Sequence, residues 1–359
     1  MKDKDTRDRN EERNEKKQGK FSRRDVLKGL ATVPALGALA YGVWRKKKLD
    51  HYRDHTLSKE LNMSPGPVAE PKKVFDGEPL RLGIIGYGIR GEHLLRGAGF
   101  AHPDIIQRWK DRASQDSTDR RYADYMQQDD LNVEINGICD LFDIRAERAL
   151  EASANIHREG ENGQFEKPAK RYEHYRDMLS ADDIDAVIIA TPDHWHARIV
   201  IDAARAGKHV YVEKGLSRTV EEVFAIRDAV KKSGIIFQLG HQGRQTESYI
   251  KASEAIEKGL LGKISLIEIT TNRNSPNGAW VYNIDPRGTE QTIDWKTFEE
   301  PCEDKHPFSP ERFFRWRCWW DYGTGLSGDL LTHEYDAINQ IIGMGIPESA
   351  VSSGGVYFY

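Results

Sequence analysis

Apolar and polar positions change their rhythm several times along this chain. Residues 1 to 20 are almost wholly polar, an apolar run follows from Gly29 to Trp44, and residues 45 to 79 mix charges with Pro65, Pro67, Pro71 and Pro79. The first and third stretches read as tail and linker, because they offer too little apolar surface to offset the entropy of ordering. From Arg81 short apolar runs begin: Leu82 to Ile85, Val133 to Cys139, Ala186 to Ala190, His209 to Val212 and Ile235 to Leu239. Helical periodicity lies between them. Runs apolar on both faces suit strands of a parallel sheet covered on each side, so residues 80–240 predict a doubly wound parallel α/β domain. After Gly240 the pattern predicts a helix over Ser248 to Lys258 and a strand over Ile264 to Thr271. An irregular stretch runs to about Ser309, then come a helix over Leu330 to Ile342 and a strand from about Ala350. Residues 241–359 thus read as a second, α+β domain.

Charge and cysteine content narrow the classes. The first 48 residues hold 15 Lys or Arg and 7 Asp or Glu, whereas the whole chain is at −4, so everything after the tail is acidic. Nucleic acid is excluded as a partner on that ground, since phosphate binding needs clustered positive charge. The three cysteines, Cys139, Cys302 and Cys318, have neither CxxC spacing nor a companion zinc pattern, so no disulfide framework or cysteine metal site is expected. Ser22-Arg23-Arg24-Asp25-Val26-Leu27-Lys28 resembles a twin-arginine export motif, with Val26 where that motif prefers Phe. The resemblance implies the twin-arginine export machinery as a partner, and a periplasmic location or one at the outer membrane face. The apolar run of residues 29–44 is short for a span. Ala38-Leu39-Ala40 offers a cleavage site, while Arg45 to Lys48 suit an uncleaved anchor.

Gly86-Tyr87-Gly88-Ile89-Arg90-Gly91 follows the first strand directly and opens a helix. In that context GxGxxG is a dinucleotide site: glycine permits the tight turn and the approach of backbone to pyrophosphate, whose charge faces the helix N-terminus. Asp140, at the end of the second strand, suits the adenine ribose hydroxyls of NAD, although Arg145 nearby leaves NADP open. Asp140 lies 54 residues beyond Gly86, against about 20 in the common form. The excess is read as an insertion from about Gly99 to Asn132.

The chain resembles the glucose-fructose oxidoreductase/inositol dehydrogenase (Gfo/Idh/MocA) family over residues 80 to 359. The glycine turn, Ala190-Thr191-Pro192-Asp193-His194-Trp195-His196, the stretch from Ala206 to Lys214, and Gly259 to Ile264 carry the likeness. The resemblance implies an NAD(P)-dependent oxidoreductase acting on a secondary hydroxyl of a carbohydrate or cyclitol. It also implies a Rossmann domain followed by an open-sheet domain that carries the substrate and self-associates. Thr191, Pro192, His196, Glu213 and Lys214 would then border the nicotinamide end of the cofactor, with Lys214 catalytic. Gly215 stands where the family's Glu-Lys-Pro motif has proline. Asp329 and His333 match the family's Asp-x-x-x-His. On a helix they share a face, so His333 can take the hydroxyl proton while Asp329 orients the imidazole or binds a sugar hydroxyl. Alternatives at these positions are a Lys214–Glu213 ion pair, a helix-surface Asp329–His333 pair, and Asp193 as a helix N-cap. His194 and His196 lack a third ligand, and no metal is expected.

Arg244 follows the last strand of the first domain and suits a substrate carboxylate or hydroxyl, or an acidic partner. In the aromatic run Phe313 to Trp320, with Asp321 and Tyr322, substrate contact through Trp320 and Tyr322 competes with core or interface packing. Two readings stand beside the dehydrogenase: a redox-assisted glycosidase that regenerates its NAD, and a silent sugar- or nucleotide-binding protein. The end at Val356-Tyr357-Phe358-Tyr359, apolar and in mid-pattern, carries the expectation that the complete functional protein is longer.

Overall fold

The computed structural model describes residues 43–48, 77–156, 168–270 and 279–353. The chain divides into two units, Met1–Ala69 and Glu70–Tyr359. In the first, residues 43–48 form a short exposed helix. The twin-arginine stretch, most of the following apolar run, and residues 354–359 lie outside the described residues. No described helix is long and apolar enough to cross a membrane.

The second unit is built on a six-stranded parallel sheet of order β3-β2-β1-β4-β5-β6. Its strands are β1 (Leu80–Ile85), β2 (Val133–Cys139), β3 (Lys170–Arg171), β4 (Ala186–Ile189), β5 (His209–Glu213) and β6 (Phe237–Gly240). All but the two-residue β3 coincide with the apolar runs. The order reverses between β1 and β4, so the loops after their carboxyl ends splay apart into a crevice, where α/β sheets bind ligands. Residues of β1, β4 and β5 such as Ile84, Ile189 and Val212 are almost completely buried.

Helices α1 (Ile89–Gly97), α4 (Asp143–Ser153), α5 (Tyr175–Leu179), α6 (Asp193–Arg205) and α7 (Val220–Ser233) connect and cover the strands. The sequence insertion is itself folded, as α2 (Pro103–Gln115) and α3 (Arg121–Met126). Proline in the first turn of α2 and the His102 ring accepting from the Asp104 N–H start that helix. Ala101, Ile106 and Tyr125 give the pair a small core of its own.

Beyond Gly240 come α8 (Glu247–Glu257), α9 (Trp295–Phe298), α10 (Pro310–Phe314) and α11 (Thr332–Ile342). The strand expected over Ile264 to Thr271 does not form among the described residues: residues 264–270 have no ladder partner, and an extended segment becomes a strand only by pairing. Residues 350–353 are irregular as well. Phe142, Ile293, Phe298, Phe313, Phe314 and Tyr322 pack as a second core against the end of β2. Hence most of the aromatic run is structural.

Candidate active site

A cavity of about 870 Å³ opens over the carboxyl ends of β1, β2, β4 and β5. At one end stands the glycine turn. Gly86 has φ of +88°, and a side chain there would meet the Ala190 carbonyl oxygen at 2.8 Å. Gly88 caps α1 without a side-chain hydrogen bond, which leaves the first-turn N–H groups turned toward the cavity for an anion. Asp140 is buried and ties β2 to this turn: its carboxylate accepts the N–H of Tyr87 at 2.6 Å and that of Phe142 at 2.8 Å. Burial raises its pKa, and Arg145 opposes the shift. Arg145 lies over the rings of Phe142, Phe313 and Phe314 and also lines the cavity.

A wall that no sequence pattern signals closes this end, made of Tyr282 to Arg287. It is held by strand-like pairing across 150 residues of chain: the Asp143 N–H donates to the Thr292 carbonyl and the Asp294 N–H to the Leu141 carbonyl, both at 2.9 Å. Deeper in, the Thr191 hydroxyl is buried against the cavity without a partner. Side-chain-free glycines, an open helix N-terminus, a ribose-height carboxylate and an orphan hydroxyl together fit a dinucleotide. Gly86, Gly88, Ile89, Arg90, Asp140, Thr191, Pro192, Glu213 and Lys214 all line the cavity. Gly91 lies just behind it, packed on the Gly86 carbonyl.

At the other end, Lys214 leaves the tip of β5. Its ammonium donates to the Asp329 carbonyl at 2.7 Å and to the Asp329 carboxylate. The same carboxylate oxygen accepts from Arg317 Nε at 3.0 Å. Burial opposes ionisation of Asp329, but Arg317 and Lys214 together outweigh it and hold the carboxyl below its ordinary range. Glu213 pairs instead with Arg90 at 2.7 Å and accepts the Tyr211 hydroxyl at 3.0 Å. The Lys214–Glu213 ion pair therefore does not form.

His333 lies in the first turn of α11, and Asp329 precedes it in a π-type turn, Ser327–Leu331. No hydrogen bond joins them, so Asp329 does not orient the imidazole here: its Oδ1 serves two cations. Beside His333 stands His241, ring centroids 5.7 Å apart and nearly perpendicular. Burial, then Lys214 and His241, hold His333 below its ordinary pKa.

Several other expectations are corrected. Pro192, not Asp193, is the N-cap of α6. Asp193 accepts the N–H and hydroxyl of Thr324, at 3.1 and 2.7 Å. His196 presents no free edge to the cavity: its ring nitrogens face the carbonyls of Gly215 at 2.7 Å and Thr191 at 2.8 Å, bracing the loops after β4 and β5. Gly215 departs from proline for a visible reason. Its φ is +43° and a Cβ would meet the Asp193 carboxyl at 2.8 Å, whereas proline holds φ near about −65°.

Arg244 is taken by Asp336, at 2.8 and 2.6 Å, and does not line the cavity. Tyr322 is wholly buried, its hydroxyl donating to Glu299 and accepting from Arg312. Trp320 is 76% exposed, lies outside the cavity lining and packs on Gly325. From the aromatic run Phe313, Phe314, Trp316 and Arg317 reach the cavity, joined by Gln242. Among the described residues no three His, Cys, Asp or Glu side chains converge as a metal site.

Residues 80–241 match the model of the oxidoreductase family with an NAD-binding Rossmann fold, GFO_IDH_MocA. This part of the chain has a Rossmann-type NAD-binding fold and is similar to that family's nucleotide-binding domain. The chain is similar to levoglucosan dehydrogenase of Pseudarthrobacter phenanthrenivorans, 34% identical over 192 residues that make up 50% of this chain and 41% of that protein. It is also similar to glycosyl hydrolase family 109 protein 1 of Shewanella sp. strain MR-4, 39% identical over 138 residues, 37% of this chain and 28% of that protein. Less than half the length of either relative is thus spanned. A solved structure of levoglucosan dehydrogenase in complex with NADH aligns with a TM-score of 0.44 at 24% identity, over 74% of this chain and 54% of that one.

Proposed function

We propose that the protein is an NAD-dependent oxidoreductase acting on a secondary hydroxyl of a sugar, glycoside or cyclitol. The observation that carries the reading is Lys214: a cation on the cavity wall at the tip of a Rossmann strand, paired with Asp329 just behind the lining, with His333 close by and likewise outside the lining. NAD, when bound, supplies the hydride acceptor. Lys214 then stabilises negative charge as it develops on the substrate oxygen, in a site with little water to compete. His333 takes the hydroxyl proton, and its depressed pKa keeps the imidazole neutral and able to do so.

The pH dependence follows from that sign. The base acts only when unprotonated, and a lowered pKa extends the neutral form to more acidic solution. The acidic limb of kcat/KM is therefore expected below 6.5, the ordinary histidine value. His333→Ala is expected to remove the limb and cost roughly 10²- to 10⁴-fold in rate. A limb above 6.5, or one retained in the variant, rejects His333 as the base.

The reading itself is tested by following NADH formation with a panel of glycosides and cyclitols. A second reading, a redox-assisted glycosidase, is favoured by the likeness to glycosyl hydrolase family 109 proteins. That enzyme would release aglycone without net NADH, so assaying both products separates the two. No turnover by either assay returns the protein to the binding class.

Export through the twin-arginine machinery is part of the proposal, supported by Arg23-Arg24 before the apolar run of residues 29–44. The double variant Arg23→Lys, Arg24→Lys is expected to stay inside the cytoplasm on cell fractionation. Unchanged distribution would reject that route.

A further inference from the structure

We propose that Arg317 selects a carboxylate-bearing substrate, a sugar acid or its glycoside, over the neutral sugar; this rests on the oxidoreductase reading and names its substrate class. Arg317 sits in a 3-10 turn, Trp316–Cys318, that follows α10. Its guanidinium is fixed twice. Nε donates to Asp329 at 3.0 Å, and Cζ lies 4.1 Å from the centroid of the Trp316 ring. Among the described residues neither terminal nitrogen has a protein partner, and the side chain borders the cavity together with Lys214 and Trp316. What remains are the two terminal nitrogens of a guanidinium held over an aromatic ring beside Lys214. That pair matches a carboxylate with two parallel hydrogen bonds.

The local charges point the same way. Lys214 and Arg317 share one carboxylate, that of Asp329. Glu213 is taken by Arg90. Asp193, the other acid nearby, is driven toward its neutral form by burial and already accepts two hydrogen bonds from Thr324. An unbalanced positive charge therefore faces the space where substrate must lie. Trp316, half-buried under the guanidinium and lining the cavity, adds an aromatic surface of the kind that packs against a sugar face.

The test compares methyl β-D-glucuronide with methyl β-D-glucoside, and the matching galacto pair, in NADH formation by the full chain and by Arg317→Gln and Arg317→Lys. The wild type is expected to prefer the acid, and Arg317→Gln to lose roughly 10- to 100-fold of that preference, the span of a charge-assisted hydrogen bond. The loss should fall on KM, and Arg317→Lys should restore part of it. Arg317→Gln also weakens the hold on Asp329, so both substrates slow; the ratio between them is the readout that a merely positioning role leaves unmoved. Equal losses on both, or a wild type that prefers the neutral glycoside, overturn the inference and leave the oxidoreductase reading standing. Calorimetric titration of the glucuronide into NADH-loaded protein separates the two further. Binding that Arg317→Gln abolishes, without turnover, supports the inference and defeats the reading. Neither binding nor turnover overturns both.

Discussion

Lys214→Ala is expected to lower kcat by roughly 10²- to 10³-fold or more, the effect of deleting a preorganised electrostatic group at a reacting oxygen, while NADH affinity changes by only a few fold. The separation follows from where the ammonium points. Its two hydrogen bonds go to Asp329, and none goes to the glycine turn or to Asp140, which form the other end. The fold should survive as well. Deleting one partner of a buried pair is costly when it strands a charge, but Asp329 keeps Arg317 at 3.0 Å. Stopped-flow or steady-state NADH absorbance gives the rate, nucleotide fluorescence the affinity, and thermal unfolding the stability. Turnover within tenfold of wild type would remove Lys214 from the chemistry.

A second substitution should act at the opposite end and in the opposite way. In Gly91→Ala the new methyl would lie 2.2 Å from the Gly86 carbonyl oxygen. Neither side can yield. Gly86 has no room to retreat, since even a Cβ on it would meet the Ala190 carbonyl oxygen at 2.8 Å, and its N–H is bonded to the Cys139 carbonyl at 2.8 Å. Relief must come from opening the turn or displacing the start of α1, and both destroy the alignment of first-turn N–H groups that receives pyrophosphate. The expected outcome is a loss of NADH affinity on the order of 100-fold or more, with about 1–3 kcal/mol of destabilisation from overpacking. Gly97→Ala provides the control within the same helix. Nothing lies within 4 Å of its added methyl, so it should bind NADH normally and unfold no earlier than wild type, because alanine favours a helix by up to about 1 kcal/mol over glycine. Equal affinities in the two variants would show that the clash at Gly91 is absorbed and that the turn does not need its glycine.

The sequence by itself determined the doubly wound domain and its nucleotide turn, because both depend on local properties. A strand buried on both faces must be apolar along its length, which makes β1, β2, β4, β5 and β6 visible as runs, and the backbone turn over a phosphate admits only glycine at Gly86. The two-residue β3 is too short to carry any pattern. Lys214, Asp329 and His333 were legible as residue types at telling positions, but their partners were not. Asp329 meets Lys214 across 115 residues and takes Arg317 as a second cation on the same oxygen, and it makes no hydrogen bond to the histidine that helical spacing had assigned to it. The aromatic run shows the same limit. Composition marks Phe313 to Tyr322 as rings for packing or for sugar, yet which of them border the cavity is decided by the fold: Phe313 and Phe314 line it from α10, and the 3-10 turn at Trp316–Cys318 follows. That turn sends Trp316 and Arg317 to the cavity and leaves Trp320 in solvent, while Tyr322 goes into the core against Glu299 and Arg312. The wall from Tyr282 to Arg287 was decided by pairing between the end of β2 and residues 292–294. Contacts so distant in sequence leave no period to read; they exist only once the chain has folded and the strands have set which ends meet.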